Sequence, residues 1–161
     1  EPLQLALLSE KMKDSLEREF PGRFQFVEKR DSADYLYDAQ KMIDLPGQKL
    51  HSKRNFINRF RAAYEGRWSF EPFDPDKLDG KVIGFSLGTF ITPDVFCVHI
   101  EKADWMIPGA YQVLTNEVAR AYCSGIKRIN REDDMGIEGL RKAKMSYQPD
   151  EIAMKYLATP V

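Results

Sequence analysis

Between Arg128 and Tyr147 the chain sets ten ionisable side chains, Tyr147 included, around two glycines and few large apolar residues. Burying that many charges unpaired would cost several kcal/mol apiece. A plain solvated helix, in turn, has no use for the glycines or for Asn130 at the end of a short apolar strand. The spacing predicts strand, turn and helix, with residues 130–134 at the strand exit and a helix over 137–144. Carboxylates stand before that helix and Arg141, Lys142 and Lys144 at its end, which suits the helix dipole. An ordinary surface helix shows the same match, so a charged binding segment and a solvated face both fit.

A second set, Lys49-Leu50-His51-Ser52-Lys53-Arg54, opens a helical pattern. Seven Lys/Arg against Asp44 and Glu65 give residues 41–70 a local balance of +5, in a chain whose net charge is −1. Cations near a helix start oppose the dipole. A bound anion reverses that cost, because cations and free backbone N–H groups would converge on it. Ser52 is the expected N-cap. Lys53 falls near the apolar side of the wheel, where the plainer account is a lysine snorkelling on a solvated face.

The third set, Val98-His99-Ile100-Glu101-Lys102, ends a strand just before a loop and a helix, where α/β folds gather functional residues. Alternation puts His99 and Glu101 on one face, and Ile100 and Lys102 on the other. The Pro-Cys-x-x-Cys that accompanies His-x-Glu in zinc deaminases is absent, so no metal is expected there. A surface ion pair and a structural histidine are the plain alternatives.

Several elements must position these sets. Leu5, Leu8, Met12, Leu16 and Phe20 recur at helical spacing, predicting one helix over 3–20, stopped by Pro21-Gly22. Strands are expected at 24–27, 34–38 and 68–73, a helical turn at 40–44 and a helix over 52–64. An Asp/Pro/Gly-rich link at 74–80 is the candidate boundary. Beyond it come strands at 81–90 and 96–100, a helix over 110–123, a strand at 126–130, the charged turn and helix, and a closing strand at 151–158. Val82, Phe85, Val98, Ile100, Ile126, Ile129, Ile152 and Met154 are expected among the core strand residues. The pattern is mixed α/β.

With 161 residues, 43% hydrophobic and 12% aromatic, the chain suffices for one domain or two small subdomains with a real core. A net charge near zero supplies no global field toward nucleic acid or membrane. Cys97 and Cys123 read as buried free thiols rather than a disulfide. CxxC and HExxH are absent, which argues against a zinc site. No apolar run reaches the roughly 20 residues that cross a bilayer, and the acidic N-terminus does not read as a signal peptide. A soluble, cytoplasmic protein is the expectation.

The stretches 45–60 (LPGQKLHSKRNFINRF), 84–88 (GFSLG), 99–102 (HIEK), 109–112 (GAYQ) and 129–147 (INREDDMGIEGLRKAKMSY) stand in this order. Together they resemble the C-terminal catalytic domain of phosphatidylglycerol lysyltransferases (aminoacyl-phosphatidylglycerol synthases) and its uncharacterised soluble relatives, over about residues 16–158. The resemblance implies two tandem GNAT-like (acyl-CoA N-acyltransferase-like) subdomains, 1–76 and 77–161. In such relatives a helical segment separates the strands like 68–73 and 81–90. Here only residues 74–80 stand between them, so the resemblance implies a chain truncated between its halves. It also implies a clipped N-terminus and no membrane-embedded half. A typical GNAT enzyme holds the coenzyme A pyrophosphate with Gln/Arg-x-x-Gly-x-Gly/Ala. The corresponding 106–111 (MIPGAY) keeps only the first glycine, although a helix start can still cradle a phosphate. The aminoacyl-tRNA-dependent branch of the fold lacks the signature as well.

The expected activity is therefore acyl transfer, with an aminoacyl group leaving an aminoacyl-tRNA-like donor for a small amine or hydroxyl acceptor. An acyl-CoA N-acyltransferase and a non-catalytic GNAT-like binding module are the alternatives. No cofactor is required, and coenzyme A is the alternative acyl donor. Such chemistry needs a base, oxyanion stabilisation and a proton donor. Glu101 is the expected base or amine anchor, with Tyr111 or Tyr147 as donor. Lys102, Arg131 and Lys144 would stabilise the oxyanion, and Glu132 and Asp133 would meet a cationic aminoacyl side chain. Asn130 and Arg141 complete the substrate set. Lys49, His51, Lys53 and Arg54, with Gly109 and Ala110, would hold the donor's phosphates.

Overall fold

The structure, a computed structural model describing residues 3–77 and 80–161, has the mixed α/β character that the sequence predicts. In chain order the elements are β1 (Leu5–Ser9), α1 (Glu10–Glu19), β2 (Phe24–Glu28), β3 (Asp34–Asp38), α2 (Ala39–Asp44), α3 (His51–Ala63), β4 (Gly84–Thr92), β5 (Val95–Ala103), α4 (Ala110–Tyr122), β6 (Arg128–Asn130), α5 (Glu138–Met145), β7 (Glu151–Ala153) and β8 (Lys155–Pro160). Among the described residues no helix is long and apolar enough to cross a membrane. Two compact units are formed, residues 1–36 with 130–161 and residues 37–129. The first gathers both ends of the chain, whereas the halves 1–76 and 77–161 are continuous stretches. Leu78 and Asp79, inside the expected link 74–80, lie outside the described residues.

In the first unit an antiparallel sheet is ordered β1-β8-β2, with Leu8 opposite Tyr156 and Phe26 opposite Ala158. Leu8, Tyr156 and Ala158 form its core, and Leu5, Leu16, Phe24, Phe26 and Met154 pack against them. The single helix expected over 3–20 is instead a strand followed by a helix. Ser9 accepts a hydrogen bond from the Met12 N–H and caps α1 there. The leucines before it pair with β8, from the far end of the chain, a long-range contact that helical periodicity cannot register. The closing strand likewise divides at Met154. Its first part, β7, pairs with β3 through Tyr35 and Ile152, while β8 lies between β1 and β2.

In the second unit β4 and β5 form an antiparallel hairpin about Pro93-Asp94, with β6 beside β5. Helix α4 packs on the hairpin, and α2 and α3 pack on α4. Asn116, buried in α4, donates to the Met42 and Ile43 carbonyls at 3.0 and 2.8 Å, satisfying the last turn of α2. The strand expected at 68–73 does not form. Its aromatic residues pack on helices, Trp68 edge-on to Phe60 and Phe70 edge-on to Tyr122. Val98 and Ile129 are buried as expected, whereas Val82, Phe85 and Ile100 are exposed. The reason is that α4 covers one side of the hairpin, so alternation leaves the other side's apolar residues in solvent. Cys97 and Cys123 are buried free thiols, and burial pushes Cys123 up to about 12.

Candidate functional site

Strand β5 is rich in β-branched and aromatic residues at its start and polar at its exit. Opposite it, β4 supplies Ser86 as the register partner of Glu101. The ladder slips between Leu87 and Gly88, whose partners are Ile100 and Val98, leaving His99 as a bulged residue. A bulge re-aims side chains. Here it parts His99 from Glu101, which simple alternation had placed on one face. The His99 ring lies 2.8 Å (Nε2) from Thr89 Oγ1 and 3.7 Å (Nδ1) from Cys97 Sγ. Glu101 turns to α4, where the Thr115 hydroxyl donates to its Oε1 at 2.5 Å. Thr115 is only 6% exposed. Ser86 Oγ, across the ladder, is buried with no hydrogen-bond partner among the described residues. Tyr111 stands one helical turn before Thr115 and is 37% exposed. The second unit thus holds a half-buried carboxylate, an orienting hydroxyl and a buried hydroxyl with spare capacity, with an accessible phenol on the helix above. Lys102 follows on the strand and is exposed.

The two expected phosphate-binding helix starts are more occupied than the sequence suggests. At α4, Gly109 sits at φ 92°, and a Cβ there would come within 2.6 Å of the Phe56 carbonyl oxygen and 3.0 Å of the Phe60 Cβ. This glycine is required by close approach to α3. The Ala110 N–H donates to the Ile107 carbonyl at 3.1 Å. Upstream, Asp104 ties the loop by accepting from the Met106 N–H at 3.0 Å and from Lys81 at 3.1 Å, in that order the causes that hold its carboxyl below its ordinary value. At α3 the N-cap is Leu50, not Ser52, and it makes no side-chain cap. The His51 N–H donates to Gln48, and those of Lys53 and Arg54 to Leu50. Arg54 also donates to the Leu45 and Gly47 carbonyls, closing the preceding turn. Lys49 and His51 are exposed and Lys53 half-buried; the His51 ring is 3.0 Å from Asn55 Nδ2.

In the first unit the charged segment organises itself around a residue outside the expected substrate set. Asp134 is 0% exposed. Arg141 donates to both its oxygens at 2.7 and 2.9 Å, Tyr35 donates to Oδ2, and the Gly136 N–H donates to Oδ1 at 2.9 Å. Arg30 adds an ion pair at 3.5 Å and donates to the Tyr35 oxygen. The Arg141 bonds, followed by those of Tyr35 and Gly136, hold this carboxyl well below the usual carboxylate range despite burial. Arg141 also reaches Asp31 at 2.7 Å and is held more firmly cationic by the two aspartates. Lys144, 7% exposed, directs its ammonium at the carbonyls of Arg131, Glu132 and Asp133. Burial, with Arg131 nearby, draws it below its ordinary value. Asn130 donates to Asp34 at 3.0 Å and accepts from the Glu132 N–H at 2.7 Å. Tyr147 is 6% exposed with Arg131 over its ring.

Of the expected site residues, Glu101, Lys102, Tyr111, Gly109, Ala110, Lys49, His51, Lys53 and Arg54 belong to the second unit. Asn130, Arg131, Glu132, Asp133, Arg141, Lys144 and Tyr147 belong to the first. Within the first unit, Asn130, Arg141 and Lys144 are engaged in fixing the loop, while Arg131, Glu132 and Asp133 are half-buried along it. Sequence reasoning did not single out Thr115, Ser86 or Asp134. Thr115 carried a signal, a hydroxyl on the buried face of an apolar helix, four residues after Tyr111. Asp134 carried another, an aspartate two residues before a glycine at a strand exit.

A family model described as phosphatidylglycerol lysyltransferase, C-terminal, matches residues 3–79 and 75–159. Among solved structures, a conserved protein of unknown function from Bacteroides thetaiotaomicron is similar at a TM-score of 0.92 and 33% identity, over 99% of this chain and 70% of that one. A structure of L-PGS from Bacillus licheniformis is similar at a TM-score of 0.70 and 15% identity, over 98% and 67%, a likeness of fold. An uncharacterized protein of Mycoplasmoides gallisepticum is 25% identical over 78% of this chain. The chain spans 56% of that curated relative's length.

Proposed function

From the fact that the chain belongs to the phosphatidylglycerol lysyltransferase C-terminal family, we propose that it is an acyltransferase moving an aminoacyl group from an aminoacyl-tRNA-like donor to an amine or hydroxyl acceptor. The observation that carries this reading is the Glu101–Thr115 pair. A carboxylate at a strand exit, oriented at 2.5 Å by a buried hydroxyl, has the placement that a general base needs. In the proposed reaction the acceptor's nitrogen or oxygen attacks the donor's ester carbonyl carbon as Glu101 takes its proton. The new bond to carbon forms, the tetrahedral oxyanion collapses, and the ester C–O bond breaks. Tyr111 gives its phenolic proton to the leaving oxygen and is reprotonated from Glu101, which closes the cycle. Between the two expected donors, Tyr111 is favoured because it is the accessible one. Ser86 would supply a further hydroxyl to the same carboxylate.

No resident cofactor is needed for these steps. The coenzyme A alternative has less support, because the α4 start is packed on α3 at Gly109 and the Ala110 N–H is engaged. The basic start of α3, with Lys49, His51 and Lys53, remains the proposed contact for the donor's phosphates, Arg54 acting there by closing the turn.

The test is incubation with charged tRNA and, separately, with acyl-coenzyme A thioesters, followed by mass spectrometry of added small amines and alcohols. An aminoacylated acceptor formed from charged tRNA is the expected result. Transfer from the thioester alone would assign the other donor, and transfer from neither would make the chain a binding module. Lys53→Ala should weaken donor binding roughly tenfold or more, as one charge-assisted contact is lost, with a shallower salt dependence.

A further inference from the structure

Strand β4 ends its sheet, with β5 as its hydrogen-bonded neighbour. Proteins protect such edges with charge, proline, bulges or brevity, because an open edge is a template for another strand. The other strands that end a sheet here carry such protection. β1 is irregular between Leu5 and Leu8, with Leu7 at φ 58°, β2 holds Glu28, and β7 is three residues long with Glu151. β4 is nine residues long and reads GFSLGTFIT, with no charge and no proline. Among the described residues, no backbone hydrogen bond outside its ladder with β5 involves residues 84–92. The segment 68–73, expected as a strand, forms none, so among the described residues this edge has β5 alone as its strand neighbour.

The side chains around the edge are apolar and half in water. Val82, Phe85, Leu87, Ile91 and Ile100 are each between 43 and 55% exposed. At roughly 80–100 Å² apiece they present about 400 Å² of apolar surface per copy, taking an aromatic side chain as ~200 Å² in full. That is what the largest single patch of a monomer amounts to, about 300–600 Å². With the strand's own backbone, two copies would approach the ~800 Å² per partner of a stable interface. An uncharged strand is also self-complementary when run antiparallel to itself about a two-fold axis.

We propose that β4 pairs antiparallel with β4 of a second copy of this chain, continuing the sheet through a symmetric dimer. Phe85 and Leu87 then stack on their counterparts across the new strand pair, where aromatic and aliphatic neighbours stabilise each other. The outward N–H and C=O groups of β4 gain strand partners in place of water.

The experiment is sedimentation velocity of the chain from micromolar to near-millimolar concentration, with Leu87→Lys and, as control, Val27→Lys at an exposed apolar position of β2. A concentration-dependent dimer is expected. Leu87→Lys should raise its dissociation constant at least about tenfold, since like charges would face each other across the pair, and Val27→Lys should leave it unchanged. A wild-type chain that stays monomeric throughout overturns the proposal. A Leu87→Lys dimer as tight as wild type, or equal weakening by Val27→Lys, overturns it too. Hydrogen exchange on the wild-type chain gives a second reading, independent of whether the variants fold. Amides within 84–92 should exchange at least about tenfold more slowly at the high concentration than at the low one; equal exchange at both overturns the proposal.

Discussion

Asp134 and Glu101 are both carboxylates drawn in at the end of a strand, and they are met by opposite kinds of neighbour. Asp134 receives Arg141 on both oxygens, with Arg30, Tyr35 and a backbone N–H around it. Glu101 is held by a neutral hydroxyl, opposite another hydroxyl that has hydrogen-bonding capacity to spare. Cations on both oxygens fix a carboxylate in place as part of the architecture, whereas a hydroxyl orients one for contact with a substrate. The densest charge in the sequence therefore serves architecture, and the reactive role is proposed for the sparser site. That assignment of roles can be broken or sharpened by four substitutions.

Glu101→Gln should have the largest effect. If Glu101 is the base, acyl transfer falls about 10²- to 10⁴-fold, while circular dichroism and the thermal midpoint stay near wild type. Unchanged transfer would remove Glu101 from the mechanism and with it the contrast between the two carboxylates.

Asp134→Asn should instead cost stability, about 3 kcal/mol in urea unfolding at neutral pH. Removing one partner of a buried pair leaves the other's charge stranded, and solvent reaching Arg141 keeps the loss at the lower end of that range. The pH dependence follows from the depressed folded value of Asp134. Its contribution is fully present above the unfolded carboxyl value of about 3.9 and is lost as pH falls through the lower folded value. Wild type should thus lose stability on acidification below about pH 4 that Asp134→Asn does not lose. Parallel curves for the two proteins would show that the network carries no net stability.

Gly109→Ala comes next, at about 2 kcal/mol. It places a Cβ 2.6 Å from the Phe56 carbonyl oxygen at a φ of 92°, a conformation costly for any residue with a side chain. Denaturant midpoints check it. A stable variant with impaired donor binding would return Gly109 to the phosphate role. Thr115→Val should be mildest, lowering transfer about tenfold through loss of one hydrogen bond. Transfer should fall per folded molecule, well below the denaturant midpoint. A purely structural threonine would lower that midpoint and leave the rate per folded molecule in place.

Local pattern was enough for many elements. The helices α3, α4 and α5, the strands β2 and β3 and the β4–β5 hairpin follow from apolar periodicity broken at Pro46-Gly47, Pro93-Asp94 and Pro108-Gly109. The family was legible for a related reason, since long ordered stretches such as 45–60 and 129–147 hold many residue choices that no single helix or strand requires. Glu101 was legible as a residue type at a strand exit.

Partnership was not legible. Leu5 and Leu8 satisfy a helical wheel as well as a strand, and only β8 at the far end of the chain decides between them. Residues 68–73 have strand composition, yet they pack their rings on helices and form no ladder. Arg141 and Lys144 look like free cations in one dimension. Only in three dimensions does Asp134 claim the first and a row of carbonyls the second. The chain by itself determined which segments are helical or extended and which polar groups are available, because those depend on neighbours within a few residues. Tertiary structure decided which charges neutralise one another and which hydroxyl meets which carboxylate, because burial and pairing depend on residues that sequence distance keeps apart.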